Sequence, residues 1–550
     1  MHQFLEKRFR LLIAVPVLLL AALQVLSVRQ ESATFDEGVH LAAGYRYWKT
    51  GRYGLNVEHP PLQKLLCALP LLILNPPLPS DPKLLIDQSA FAKAFLYEGP
   101  YHADVLLFLG RLPTIAVSAL LLLAVAWAAR RHFGASVAVP VVWLCALDPN
   151  ITAHGRYVTT DVTSALCFFL AVFLWVDYWL HPAPRRALCA ALALGLALGA
   201  KFSMLLLLPL LPGLLLLHTL LYRPPAASVL RSYGVLVLGG VVSLLVVALL
   251  YAPESWRVLR GRPIDVKAEP VRGYLLPPHT YLTGVRTVID HNNEGHTAYL
   301  LGEISNKGWW WYFPFTYLVK STVALLLLTM LALAIGLWKF PLLLRAPRPS
   351  YLWSALAAAP LAYFAVTLTS HINIGVRHLL PVVPFVYLLA IGALAALLPA
   401  RRYLAVAACF VALQAAESLA AFPGYLGFFN VPSGGTAVGS RYLLDSNLDW
   451  GQDLKRLKTY IDTQSPGTVC LEYFGSADPK YYGITAEYLP KTWDKDERGR
   501  MNCIGVISAT LLHDVYIRPG SYEWLRQRQP AGLIGSSLFL YDLRQANPRP

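Results

Sequence analysis

Residues Phe35-Asp36-Glu37-Gly38 place two adjacent carboxylates just beyond the first apolar segment, where the chain should leave a membrane. Some twenty residues later comes Glu58-His59-Pro60-Pro61-Leu62. Acids at a bilayer boundary are costly as packing residues, so a polar and catalytic role is the natural reading. As neighbours Asp36 and Glu37 cannot share one helix face, and they therefore do different work. A carboxylate held there can take a proton from a hydroxyl. The competing reading makes Asp36 the N-cap of the next helix, with Glu37 in its first turn.

Further along stand Asp148-Pro149-Asn150, His154-Gly155-Arg156-Tyr157 and Asp161. Arginine suits a phosphate because its planar fork donates two parallel hydrogen bonds. By spacing alone, Arg156 pairing with Asp161 is nearly as good a reading. Lys201 follows an apolar run containing Gly195 and Gly199, Lys320 opens another run, and His371, Arg377 and His378 lie between two more. Loop counting puts all of these on the outer side, against the tendency of cations to stay inside, so they need anionic partners. For Lys320, snorkelling to the headgroups is the alternative. Together these residues describe an outward-facing cleft with acid on one wall and cations on the other. Such a cleft suits departure of a lipid phosphate from a sugar: the cations stabilise the leaving group and the carboxylate activates the attacking hydroxyl.

The elements that position these residues are membrane spans. The 550 residues are 56% hydrophobic and only 14% charged, with a mean hydropathy of +0.47, whereas a soluble domain averages about 25% charged residues. Apolar runs long enough for a bilayer core of ~30 Å recur throughout. The net charge of +15 comes from basic residues in short loops, which fits cytoplasmic loops and leaves nucleic acid unneeded as a partner. About eleven spans are expected, near 9–28, 105–129, 135–148, 160–180, 187–200, 203–221, 233–252, 315–337, 351–370, 379–398 and 403–422. Those near 135–148 and 187–200 are short for a full crossing. The inside loops carry Arg130/Arg131, Arg185/Arg186, Arg223/Arg231, Lys339/Arg345/Arg348 and Arg401/Arg402. The N-terminal run after Lys7, Arg8 and Arg10 lacks a small-residue cleavage pattern and reads as a retained signal anchor with a cytoplasmic N-terminus.

The expected organisation is a transmembrane catalytic domain over 1–422, with outer loops at about 29–104 and 253–314, and an extracytoplasmic domain over 423–550. In the first loop, Leu84 to Tyr101 reads as a helix lying at the membrane interface. The second holds His291, Asn292, Asn293, Glu294, His296 and Trp309-Trp310-Trp311-Tyr312, aromatics that favour the headgroup level and can also stack on sugars. The tail contains strand-like pieces at 467–474 and 503–508, so a small α/β domain is expected. Its aromatics Trp450, Tyr473, Tyr481, Tyr482 and Trp493 read as its own core, with sugar stacking as the alternative. Five cysteines, Cys67, Cys145, Cys167, Cys189 and Cys409, fall in or beside apolar segments as packing residues. Cys470 and Cys503 lie in the tail and form a candidate disulfide if that region is extracytoplasmic.

Phe35-Asp36-Glu37 with His59-Pro60-Pro61-Leu62-Gln63-Lys64-Leu65-Leu66 resembles the first-loop signature of the protein O-mannosyltransferase family, polytopic glycosyltransferases of the GT-C fold. His154-Gly155-Arg156-Tyr157 through Asp161 resembles that family's next motif. Lys201-Phe202 resembles its Lys-Trp, and Gly375-Val376-Arg377-His378-Leu379-Leu380-Pro381 its Arg-His motif. The similarity keeps chain order over about residues 30–385. The resemblance implies inverting transfer of a sugar, mannose first, from a polyprenyl-phosphate carrier to a hydroxyl acceptor, with the carrier sugar as substrate and no essential cofactor. It implies Asp36 as base, Glu37 contacting substrate, Arg156 near the donor phosphate, and Lys201, Arg377 and His378 as further phosphate-binding residues. Asp161 and Glu58 would serve as acceptor or support residues. His59 stands where the related aminoarabinose transferases carry a lysine near the phosphate. Those relatives can bind a divalent metal, for which Glu58 with a histidine is the candidate here, although none is expected. The loop at 253–314, about sixty residues long, is too short for the β-trefoil of eukaryotic members, so a protein acceptor does not carry over. The same chemistry with a pentose donor and a lipid or surface-glycan acceptor is the nearest alternative. A transporter or flippase is the alternative of another class, disfavoured because the charges gather at one surface and no repeat is visible. The expected location is the plasma (inner) membrane.

Overall fold

The computed structural model describes residues 2–260, 278–343, 347–499 and 501–544. It is a polytopic helical assembly carrying a small sheet domain toward the C-terminus. Among the described residues six helices are long and apolar enough to cross a membrane: Phe9–Val28, Ala103–Phe133, Asp161–Leu180, Phe202–Tyr222, Ala226–Leu250 and Ala400–Ala421. The expected short spans are helices Ala135–Ala146 and Pro184–Ala200. The remaining expected spans lie in helices Val323–Leu343, Pro347–Thr367 and Val383–Leu397. Arg345, one of the loop cations, lies outside the described residues.

Small residues let these helices approach closely, as hydrocarbon supplies no hydrophobic drive between them. Helix Pro184–Ala200 packs between Asp161–Leu180 and Ala226–Leu250, and a Cβ at Gly195 would come within 2.6 Å of Val246. The same device holds the outer helices: at Gly44 of helix Glu37–Thr50 a Cβ would stand 2.0 Å from the Lys64 carbonyl oxygen, so only glycine admits helix Leu62–Leu74 there.

Three expectations need correction. The span near 315–337 is two helices, Tyr312–Lys320 and Val323–Leu343, broken at Ser321 and Thr322. A broken helix at this depth must have its backbone groups satisfied by protein. Asn430 Nδ2 donates to the carbonyls of Leu318 (2.6 Å) and Ser321 (2.8 Å), and the Val323 amide donates to Glu417 (2.8 Å). Lys320 does not snorkel. It is buried, and its ammonium donates to the carbonyls of Leu426 (2.9 Å) and Asn447 (2.6 Å). The segment Leu84 to Tyr101 is a 3-10 turn, Pro82–Ile86, followed by helix Gln88–Tyr97, which Asp87 caps by accepting from the Ser89 and Ala90 amides. Its apolar residues Phe91, Phe95 and Leu96 are buried against the protein, chiefly helix Glu37–Thr50, instead of facing headgroups.

The sheet domain begins after helix Leu454–Gln464. With β3 (Val469–Glu472), β4 (Glu487–Tyr488), β5 (Ile504–Ser508), β6 (Gly532–Ile534) and β7 (Leu538–Asp542), its order is β4-β3-β5-β7-β6. The first three strands are parallel and the last two pairings antiparallel. β1 (Ala298–Leu300) and β2 (Glu303–Ser305) form a separate hairpin between helices His279–Glu294 and Tyr312–Lys320. Cys470 and Cys503 are disulfide-bonded. Cys67, Cys145 and Cys167 are buried as expected, while Cys189 and Cys409 lie on exposed helix faces.

Residues 425–453, which precede this domain, are a chain of 3-10 turns threaded into the helical body. The Phe35 amide donates to the Trp450 carbonyl (2.9 Å) and the Ser32 amide to that of Gln452 (3.0 Å), so the first loop is clamped to the tail.

Candidate active site

Asp36 occupies the N-cap position of helix Glu37–Thr50, yet its side chain makes no capping hydrogen bond. It turns instead toward the cation wall, where Arg377 Nη1 donates to Asp36 Oδ2 (3.0 Å). Arg377 comes from the 3-10 turn Val376–Leu379, held where the Val376 amide donates to Asn447 Oδ1 (2.9 Å). Its guanidinium lies 4.3 Å from the ring centroid of Trp450, a cation–π contact that fixes the plane of the fork. On its far side the same Nη1 is 3.8 Å from Asp161 Oδ2. Asp161, at the start of helix Asp161–Leu180, takes a hydrogen bond from Lys201 Nζ (2.7 Å). Four of the expected residues, Asp36, Arg377, Asp161 and Lys201, thus form one alternating row of charges.

The row is incompletely satisfied. Arg377 Nε, Asp161 Oδ2, His378 Nε2 and His154 Nδ1 are buried without a hydrogen-bond partner. Burial, with the charges of Lys201 and Arg377, drives His378 well below the ordinary histidine range. His59 stacks edge-on to His40, centroids 5.1 Å apart. Burial, and then the charges of His40 and Lys64, likewise holds His59 well below its ordinary value. Burial takes His40 down to about 4, although Asp36 pulls the other way. These rings are therefore neutral in the site as it stands. Lys64 braces the loop from within, donating to the carbonyls of Asn56 (2.6 Å) and His59 (2.7 Å). Burial lowers that lysine to about 7, with the charge of Glu58 opposing. Among the described residues no three His, Cys, Asp or Glu gather as a metal-binding group.

Glu37 and Arg156 stand elsewhere. Glu37 is fully buried, and Arg111 grips it with Nε to Oε1 (2.8 Å) and Nη2 to Oε2 (2.6 Å). The amides of Thr34 (2.9 Å) and Val158 (3.0 Å) also donate to it. Every lone pair facing protein is used, so Glu37 ties the Asp36 loop to the Arg156-Tyr157-Val158 turn. Arg156 does not pair with Asp161. Its Nη2 donates to Glu31 Oε1 (2.9 Å) and to the Tyr157 hydroxyl (3.1 Å), and Nη1 donates to Ser27. Arg156 is completely enclosed, behind the wall that carries Asp36.

Sequence reasoning missed Arg111, Glu31 and the tail's contribution. Arg111 sits inside an apolar run, and an arginine there is itself a signal, since it must have a buried acid. Glu31 belongs to none of the motifs, yet it also receives Arg456 of the tail (3.4 Å). Asp445 bears on Arg377 electrostatically, and burial pushes its carboxyl up, with the Tyr516 hydroxyl bond opposing.

Residues 104–251 match the family model described as dolichyl-phosphate-mannose-protein mannosyltransferase. This is the family to which the motifs pointed, here over that stretch of the chain. No curated protein matches. Among solved structures, the chain is similar to ArnT from Cupriavidus metallidurans bound to undecaprenyl phosphate, at 15% identity and a TM-score of 0.49, covering 97% of this chain and 98% of that one. It is also similar to the Archaeoglobus fulgidus oligosaccharyltransferase in the apo form (12%, 0.49, covering 75% and 56%). A third similarity is to the S. cerevisiae Pmt1-Pmt2 complex bound to the sugar donor (17%, 0.34, covering 46% and 34%).

Proposed function

We propose that the chain is a GT-C-type membrane glycosyltransferase. It takes a sugar, mannose first, from a polyprenyl-phosphate carrier and transfers it to a hydroxyl acceptor outside the cytoplasm. The observation that carries this reading is the Asp36–Arg377–Asp161–Lys201 row, with buried donors at Arg377 and His378 still unpartnered. A phosphodiester supplies the acceptor oxygens that such a row lacks, and charge-assisted bonds to phosphate are about twice as strong as neutral ones. The family match over 104–251 supports the same donor class, and the ArnT and Pmt1-Pmt2 structures were determined with a polyprenyl phosphate and a sugar donor.

In the mechanism, Arg377 holds Asp36 until the donor arrives. The carrier phosphate competes for the guanidinium, and the carboxylate is freed to act as base. Asp36 then takes the proton of the acceptor hydroxyl as its oxygen attacks the anomeric carbon. The bond from that carbon to the phosphate oxygen breaks on the opposite face, so configuration inverts. Lys201 and Arg377 stabilise the charge that develops on the departing phosphate, with His59 and His378 as neutral imidazole donors. No divalent metal is required in this scheme. Glu37 and Arg156 act from behind, by holding the loop that carries Asp36.

In this reading the N-terminus is cytoplasmic and the tail lies outside, in a plasma (inner) membrane. The alternation of basic loops supports it, as does the Cys470–Cys503 disulfide, since such bonds persist in oxidising compartments. The test is consumption of polyprenyl-phosphate-mannose by detergent-solubilised protein, wild type against Asp36→Asn, with lipid products followed by mass spectrometry. Release of polyprenyl phosphate by the wild type alone is expected. Equal release from both would remove Asp36 from the mechanism. No release from either would reject mannose and move the panel to aminoarabinose and pentose carriers.

A further inference from the structure

Three aromatic rings form a ladder beside the candidate base. Phe35, adjacent to Asp36, stacks on Phe474 with centroids 5.3 Å apart and planes 14° apart. Phe474 stacks in turn on Tyr516, at 5.4 Å and 17°. The ladder joins two distant parts of the chain, the first outer loop and the sheet domain. Its end rings remain open, Phe35 being 42% and Tyr516 39% exposed.

Two features show that this is a built surface. Tyr516 is fixed at its polar end, where its hydroxyl donates to Asp445 and also meets His296 Nε2 (3.0 Å). His296 is backed by His291, its Nδ1 3.1 Å from His291 Nε2. Tyr516 (φ +67°) adopts the left-handed backbone that bulky side chains avoid, a strain that persists only where surroundings enforce it. Asp445 is also one of the carboxylates whose charge reaches Arg377. The fixed rings thus abut the charge row through Phe35–Asp36 at one end and Asp445 at the other.

We infer that the Phe35–Phe474–Tyr516 ladder is the acceptor platform and that the acceptor it takes is a saccharide, bound by stacking a pyranose face on the exposed rings. The inference rests on the glycosyl-transfer reading and narrows its acceptor. The face of an aromatic ring is electron-rich, and the axial C–H bonds of a pyranose present a flat, weakly positive apolar face to it. The ring edge carries hydroxyls, which Asp36, Asp445 and His296 can meet. A peptide would need an edge strand or a groove for its backbone groups. Here the ligand-facing surface is aromatic planes ringed by side-chain acceptors, and that favours sugar.

The test is saturation-transfer NMR in a carbohydrate-free detergent, with no donor present, so that failure of the donor reading shows only in the carrier-consumption assay. The probes are a methyl pyranoside, its octyl counterpart and a threonine-rich peptide. Saturation should fall on the C–H protons of the pyranoside and drop roughly two- to tenfold in Phe35→Leu and Tyr516→Leu, while Tyr516→Trp retains it. Thermal melting reports whether each variant is folded. If the leucine variants do not fold, Tyr516→Trp decides: retained saturation upholds the platform and loss overturns it. Undiminished saturation in folded leucine variants overturns it as well. So does a peptide signal that depends on the same rings, which would make the acceptor a protein. Preference for the octyl over the methyl pyranoside assigns the saccharide to a glycolipid, and equal binding to a free glycan.

Discussion

Two groups of largely buried charge meet at the segment that follows helix Phe9–Val28 and are built on opposite terms. In the first, Arg111 and Glu37 share two hydrogen bonds and Arg156 is bound to Glu31. Backbone amides or carbonyls fill the remaining positions around the Glu37–Arg111 pair. In the second, Asp36, Arg377, Asp161 and Lys201 alternate in sign but leave donors and acceptors unmatched. The residue types are the same. What differs is satisfaction: apart from Arg156 Nε, buried without a partner, the first network is closed and fixes geometry, whereas the second keeps binding capacity for a ligand.

The largest expected effect comes from the open group. Asp36→Asn keeps the size and an acceptor for Arg377 but removes the base, so transfer should fall about 10²- to 10⁴-fold. Its melting temperature should barely move, because Asp36 is partly exposed and its ion pair weakly stabilising. A large loss of folded protein with proportionate loss of activity would put Asp36 in the structural group and dissolve the contrast.

The closed group should respond in the reverse sense. Arg111→Met leaves Glu37 charged and enclosed, and breaking one side of a buried pair costs about 3–5 kcal/mol. Loss of folded protein in detergent is the expected readout. The double variant Arg111→Met with Glu37→Leu should recover much of that stability, because two well-packed apolar residues can replace a buried pair. If Glu37→Leu in that background abolishes turnover without changing the fold, Glu37 touches substrate after all.

How much of this was legible beforehand follows from the physics of each residue. Asp36, Asp161, Lys201 and Arg377 were readable because charge at the end of an apolar run is expensive and so marks a role. Their pairing was not, since Asp36 and Arg377 are 341 positions apart in sequence and only the fold brings them together. The spans were readable from apolar length alone. The break at Ser321 and Thr322 was hidden, because the groups that satisfy it come from Glu417, Asn430 and the tail. The turns of 425–453 carry no periodicity, so the place they take beside the charge row, with Trp450 against Arg377, was not readable. The platform ring Phe474 lay within a recognised strand, and Tyr516 in no element at all.

A smaller effect separates shape from charge within the open group. Arg377→Lys keeps the positive charge but loses the planar fork that bridges Asp36 and stacks on Trp450. The Michaelis constant for the carrier sugar should rise roughly 10- to 100-fold, with the loss of one or two charge-assisted hydrogen bonds. An unchanged constant would mean that Arg377 serves only to hold Asp36.

The gentlest test uses pH on the tail segment that backs both groups. Asp449 precedes Trp450, and its Oδ2 accepts from the Thr510 amide (2.8 Å) while Oδ1 is buried without a partner. Burial pushes its carboxyl up from 3.8 to about 7, the Thr510 bonds opposing and the charges of Asp453 and Asp445 adding. A folded-state value above the unfolded one means that the native state binds the extra proton between these limits. That contribution to stability is complete below about pH 4, fades as pH rises, and is gone above about 7. Asp449→Asn keeps the bond from Thr510 and carries no charge. It should therefore flatten this slope, raising the melting temperature at pH 8 relative to wild type and changing it little at pH 4. An equal shift at both values would mean that Asp449 is held by geometry alone, like Glu37.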